Sequence, residues 1–110
     1  MSQDITKDPV LTDSVLVIIA KVEIYPDKVE IVIKEFSELI SKTRTEDGCL
    51  KYDLHRDVEN SNVFWFYEHW ENEESQNKHM NSKHLKEYLE VTDDAVKSIT
   101  LNKMRLQPTH

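Results

Sequence analysis

His79 and His84 stand on either side of Asn81-Ser82, shortly after the run FWFYEHW that carries Glu68 and Trp70. An imidazole titrates near neutral pH and can take a proton from an acidic hydroxyl. A carboxylate inside so apolar a run is costly to bury alone. Glu68 therefore needs a partner: a histidine, which it would orient, or Arg56 or Lys51 across a hairpin. On residue type alone His79 reads as an exposed helix histidine, and His84 as a cap or a pocket residue. Trp70, Phe66 and Phe64 share parity with Glu68, so core packing is their default. Tyr52 has a hydroxyl to donate and reads first as a core or dimer-face residue.

Four internal histidines (His55, His69, His79, His84) raise the idea of a metal centre. His79 and His84 are five apart, whereas two ligands on one continuous helix face want a spacing of four. No metal ligands are assigned. The single cysteine, Cys49, excludes an intrachain disulfide, packs as a small hydrophobe and fits a reducing compartment.

The elements that must position these groups are legible from periodicity. Residues 1–13 carry no pattern and read as an N-terminal arm; residues 14–107 read as one domain. SVLVIIAKVEIY is apolar in both parities, a strand covered on both faces for its first half. Pro26-Asp27 ends it, and Asp27 with Glu30 has the spacing of a capping box. Val29, Val32, Ile33, Phe36, Leu39 and Ile40 then form one helical stripe, with Glu30-Lys34 and Glu38-Lys42 on the wet face. Gly48, the only glycine, falls past the helix end, where a left-handed conformation is wanted. CLKYDLHRD and NVFWFYEHWE read as a hairpin across DVENSN, with Leu50, Tyr52 and Leu54 on one side. Five of the nine aromatics lie between Phe64 and Trp70, so the second arm is buried on both faces. Asn72 caps a second helix, Ser82 restarts it, and ITLNKMRL closes as a last strand.

The order β-α-β-β-α-β is the ferredoxin-like arrangement, an α+β fold with both helices on one face of a four-stranded sheet. Apolar residues of the first and third strands point to the other face. A second copy covering it predicts a homodimer packed sheet to sheet.

Composition narrows the partners. With 21 acidic against 14 basic residues the net charge is −7, and no basic cluster offers a footprint for nucleic acid or anionic membrane. The N-terminus lacks a signal-like core and Val15 to Ala20 is too short to span a bilayer, so a cytoplasmic location is expected.

"TRTEDGCLKYDLHRD", "FYEHWENEE" and "HMNSKH", in that order, resemble the antibiotic-biosynthesis monooxygenase family over most of residues 15–106. The likeness is to its small quinol monooxygenases and autoinducer-2-processing members. It rests on the Gly-Cys step, the Glu-x-Trp step at Glu68 and Trp70, and the spacing of His79 and His84. The resemblance implies a dimeric α+β barrel and a pocket for a small aromatic or enolisable substrate. It implies oxidation with molecular oxygen and no cofactor. His79 is then the expected base, Glu68 orients it, and Trp70, Phe66, Tyr52 and His84 shape the substrate slot. Haem-degrading members want an asparagine in the first strand and a histidine further into the second helix. Lys21, Glu23 and the segment LKEYLEV depart from that pattern, so haem is set aside. An isomerase of a small hydroxyketone and a non-catalytic ligand-binding dimer are the alternatives.

Overall fold

The computed structural model describes residues 14–109, so the expected arm at 1–13 lies outside the described residues. Strand β1 (Leu16–Ile24) is central. Its even-numbered residues Leu16, Ile18, Ala20, Val22 and Ile24 are buried in the main core, and Val15 and Val17 are buried on the other side. A 3-10 turn at Pro26–Lys28 leads into helix α1 (Val29–Thr43). The capping box expected from Asp27 and Glu30 does not form. Pro26 starts the coil early, Lys28 N–H already donates to the Tyr25 carbonyl, and Lys28 precedes α1 without a side-chain cap. The stripe itself forms as expected: Val29, Val32, Phe36 and Leu39 are buried. Phe36 meets Phe64 and Phe66 edge-on at ring distances of 5.1 and 5.4 Å, an arrangement that adds ring electrostatics to burial.

Strands β2 (Cys49–Arg56) and β3 (Val63–Trp70) pair as the expected hairpin. Asp57 organises the turn: its carboxylate accepts from the backbone N–H of Glu59 and Asn60 and from Trp65 Nε1. A shift of register between Cys49 and Lys51 takes Leu50 out of the apolar face, and it is exposed. Tyr52 and Leu54 keep their inward positions, opposite Glu68 and Phe66. Helices α2 (Glu73–Met80) and α3 (Lys83–Val91) follow, and β4 (Val96–Arg105) closes the sheet antiparallel to β1. The strand order is β2-β3-β1-β4, the ferredoxin-like α+β arrangement. Among the described residues no helix is long and apolar enough to cross a membrane.

Gly48 has φ +83°, the left-handed conformation expected of it, and its carbonyl accepts from Glu71 N–H at 2.8 Å. A Cβ there would overlap the side chain of Ser75, with Ser75 Cβ only 2.5 Å away. The left-handed conformation alone costs an ordinary residue about 1–2 kcal/mol, and the overlap adds to it. Gly48→Ala is predicted to destabilise the fold by at least about 2 kcal/mol, read as a lowered urea midpoint. An unchanged midpoint would show that the turn can relax without this glycine.

Candidate active site

Two short caps bring the histidines together. Asn72 Oδ1 accepts from Ser75 N–H at 2.9 Å and starts α2, which places His79 in its last turn. Ser82 Oγ accepts from Leu85 N–H at 3.3 Å and starts α3 afresh, with His84 in its first turn. The chain therefore changes direction between the histidines, and a five-residue spacing that fails on one helix succeeds across two. Both rings point at one carboxylate oxygen. Glu46 Oε2 lies 2.8 Å from His79 Nδ1 and 2.6 Å from His84 Nε2.

A cavity of about 90 Å³ opens between the sheet and the helices, and Ala20, Tyr52, Phe66, Glu68, His79 and Tyr88 are among the residues that wall it. His79 is 2% exposed. Its ring lies against Trp70, centroids 4.7 Å apart and planes 31° apart, and meets the edge of Tyr52 at 5.3 Å. Nδ1 is committed to Glu46, so Nε2 is the ring nitrogen left for the cavity. Burial pulls the His79 pKa below its ordinary 6.5, against the raising effect of the Glu46 hydrogen bond and charge. A neutral ring donating Nδ1–H to a carboxylate keeps a lone pair on Nε2, the form a base requires.

Glu68 is buried beside this ring, and its Oε1 accepts from Trp70 Nε1 at 2.8 Å. Desolvation lifts its carboxyl from 4.5 to about 7; the Trp70 hydrogen bond works against that rise and the Glu46 charge adds to it. Burial also pushes the Tyr52 hydroxyl well above its ordinary value of 10, so Tyr52 stays a donor.

The expected site residues thus fall into two groups. Tyr52, Phe66, Glu68 and His79 share the cavity wall, whereas Trp70 backs His79 and Glu68, and His84 stands behind His79, joined to it through Glu46 and by a ring contact at 6.2 Å. The partner expected to orient His79 was Glu68; the hydrogen bond to His79 comes from Glu46 instead. Neither Arg56 nor Lys51 pairs with Glu68. Arg56 Nε donates to the Ser61 carbonyl and Lys51 Nζ reaches Asp53. The other two internal histidines, His55 and His69, stand opposite Trp65 and Lys51. Glu46 was missed because it sits in the connector TRTEDG, where an acidic residue reads as solvated. Its nearness to the only glycine is the one local signal.

Residues 15–91 match the family model for antibiotic biosynthesis monooxygenases. A crystal structure of an antibiotic biosynthesis monooxygenase superimposes with a TM-score of 0.81 at 30% identity, covering 84% of this chain and 99% of that one. A conserved protein from Methanosarcina mazei Go1 gives 0.82 at 27% identity, covering 86% and 95%. The uncharacterised Synechocystis protein sll1783 is 28% identical over 84% of this chain, which spans 63% of that relative's length. The chain belongs to the antibiotic biosynthesis monooxygenase family.

Proposed function

We propose that this chain is a cofactor-independent oxygenase of a small phenol or quinol, with His79 as the base. The observation that carries the reading is the neutral, carboxylate-fixed imidazole at the wall of an apolar cavity. His79 Nε2 takes the hydroxyl proton of the bound substrate. The resulting phenolate is electron-rich enough to give one electron to triplet oxygen, and the radical pair combines at a ring carbon. One oxygen atom stays on that carbon; the other leaves as water, its hydrogens coming from the substrate's own C–H and O–H. A phenol thereby becomes a quinone and a quinol a hydroxyquinone, with no outside reductant. The apolar wall keeps water away, and the Tyr52 hydroxyl on that wall is a donor for the developing charge.

The cavity is smaller than the roughly 150 Å³ that encloses a benzene ring. A substrate ring therefore extends beyond it, towards Ile99 and Leu101 of β4, which line its mouth and are 45% and 39% exposed. These two exposed apolar side chains on an uncovered strand support a homodimer in which a second copy closes the mouth. One observation favours a second reading: Glu68, with a pKa raised to about 7, stands beside His79 on the same cavity. An acid and a base so placed suit proton transfer within a small hydroxyketone, an isomerisation that consumes no oxygen. Oxygen uptake by the purified protein with freshly reduced quinols separates the two. Uptake above the protein-free rate supports the oxygenase; its absence, with deuterium exchange into a hydroxyketone, supports the isomerase.

The geometry at Glu46 makes a further prediction. Glu46→Ala frees His79 to rotate and exchange tautomers, so kcat falls by a part of the roughly 10²–10⁴-fold that a positioned base contributes. KM changes little, because Glu46 is not part of the cavity wall. Steady-state kinetics checks the split: a rise in KM at constant kcat would make Glu46 a binding residue instead.

A further inference from the structure

We propose that Glu46, His79 and His84 form a binding site for a divalent transition cation of the zinc or cobalt type. Two imidazoles and a carboxylate are a ligand set that zinc uses in sites with an open coordination position. One ligand atom from each side chain lies within 4.8 Å of the other two. Four-coordinate bonds of about 2.0–2.1 Å set neighbouring ligand atoms about 3.3–3.4 Å apart, so side-chain rotation has to bring the two nitrogens closer by up to about 1.5 Å and draw the carboxylate oxygen back by about half an ångström. His84 supplies the larger of these movements, being the ligand in the first turn of α3 and the more open of the two rings at 19% side-chain exposure. His79 and Glu46 are held more firmly, at 3% and 14%. The site is reached from the His84 side, and water completes the coordination there.

Occupancy changes the chemistry of the neighbouring cavity. In the hydrogen-bonded arrangement His79 carries its proton on Nδ1. A cation at Nδ1 needs that lone pair, so the proton moves to Nε2, with no net gain or loss by the ring. The nitrogen facing the cavity becomes a donor and can no longer act as a base. The cation thus acts as an off-switch for any proton abstraction by His79.

The test is titration of the metal-stripped protein with Zn(II) by calorimetry and with Co(II) by visible absorption. Nitrogen NMR of the histidine rings is recorded in parallel. The expected result is one ion per chain, intense cobalt bands of a four-coordinate site, and a shift of the His79 proton from Nδ1 to Nε2. His84→Ala weakens binding by at least about 10–100-fold, the loss that even an outer partner of a ligand causes. His55→Ala, on a strand away from the cluster, leaves it unchanged. Binding that survives both His84→Ala and Glu46→Ala, an unmoved His79 tautomer, or no uptake at all would overturn the site. None of these readouts needs turnover, so a chain without oxygenase activity tests the site equally well.

Discussion

His79→Asn is expected to lower kcat for a reduced quinol by roughly 10²–10⁴-fold, the usual contribution of a positioned general base. Asparagine keeps a polar group near Glu46 but offers no nitrogen lone pair to the cavity. It is preferred to alanine, which would leave a hole against the Trp70 and Tyr52 rings. The check is oxygen uptake at saturating quinol, with circular dichroism and the thermal midpoint as evidence of an intact fold. A folded variant that turns over at the parent rate would remove His79 from the mechanism. His79→Ala serves as the second variant if the asparagine disturbs the cluster, and the same loss is expected of it.

The second large effect concerns stability. Glu68 binds its proton more tightly in the folded chain than in the unfolded one, with a pKa raised from 4.5 to about 7. Below pH 4.5 the group is protonated in both states and contributes nothing to the pH dependence. Between about 4.5 and 7 the folded state holds more protons than the unfolded state, so stability falls as pH rises. At about 1.4 kcal/mol for each tenfold change in proton affinity, the full loss by pH 8 is roughly 3 kcal/mol. Glu68→Gln keeps an oxygen for Trp70 Nε1 and cannot ionise, so it removes this loss. The variant is expected to be more stable than the parent at pH 8 and near parity at pH 4.5. Around Glu68 stand His79, Glu46 and the hydroxyls of Tyr52 and Tyr88; His79 has the opposite dependence, because its pKa is lowered. The difference between parent and variant, measured by urea unfolding across that range, largely cancels those contributions. A flat difference curve would mean that Glu68 is not held protonated by burial.

The fold was legible because local and global signals agree along most of this chain. The α1 stripe from Val29 to Ile40, the doubly apolar β1 and β3, Gly48 and the caps at Asn72 and Ser82 each announce their element. Where the reading failed, two local rules competed. Asp27 and Glu30 have capping spacing, but Pro26 begins a 3-10 turn first. Leu50 alternates correctly, but the shifted pairing at Cys49–Lys51 turns it outward. The site was legible only in part. His79, Glu68, Phe66 and Tyr52 reach one cavity because strand parity and helix phase are periodic properties. Glu46 joins His79 across 33 residues of chain, and no periodic property of either segment encodes that meeting. The case against a metal centre assumed one continuous helix through residues 79–84. The restart at Ser82, itself expected, removes that assumption.

Cys49 is free, half-buried beside the core at the foot of β2, and its thiol is pushed up to about 11, chiefly by desolvation and then by Glu46 and Glu68. Quinones arylate proteins by adding to thiolates, and only the thiolate is nucleophilic. At pH 7 such a thiol is ionised to about one part in ten thousand. A protein that forms quinones would thus keep its single sulfhydryl, on the same strand as Tyr52 of the cavity wall, almost inert towards its own product.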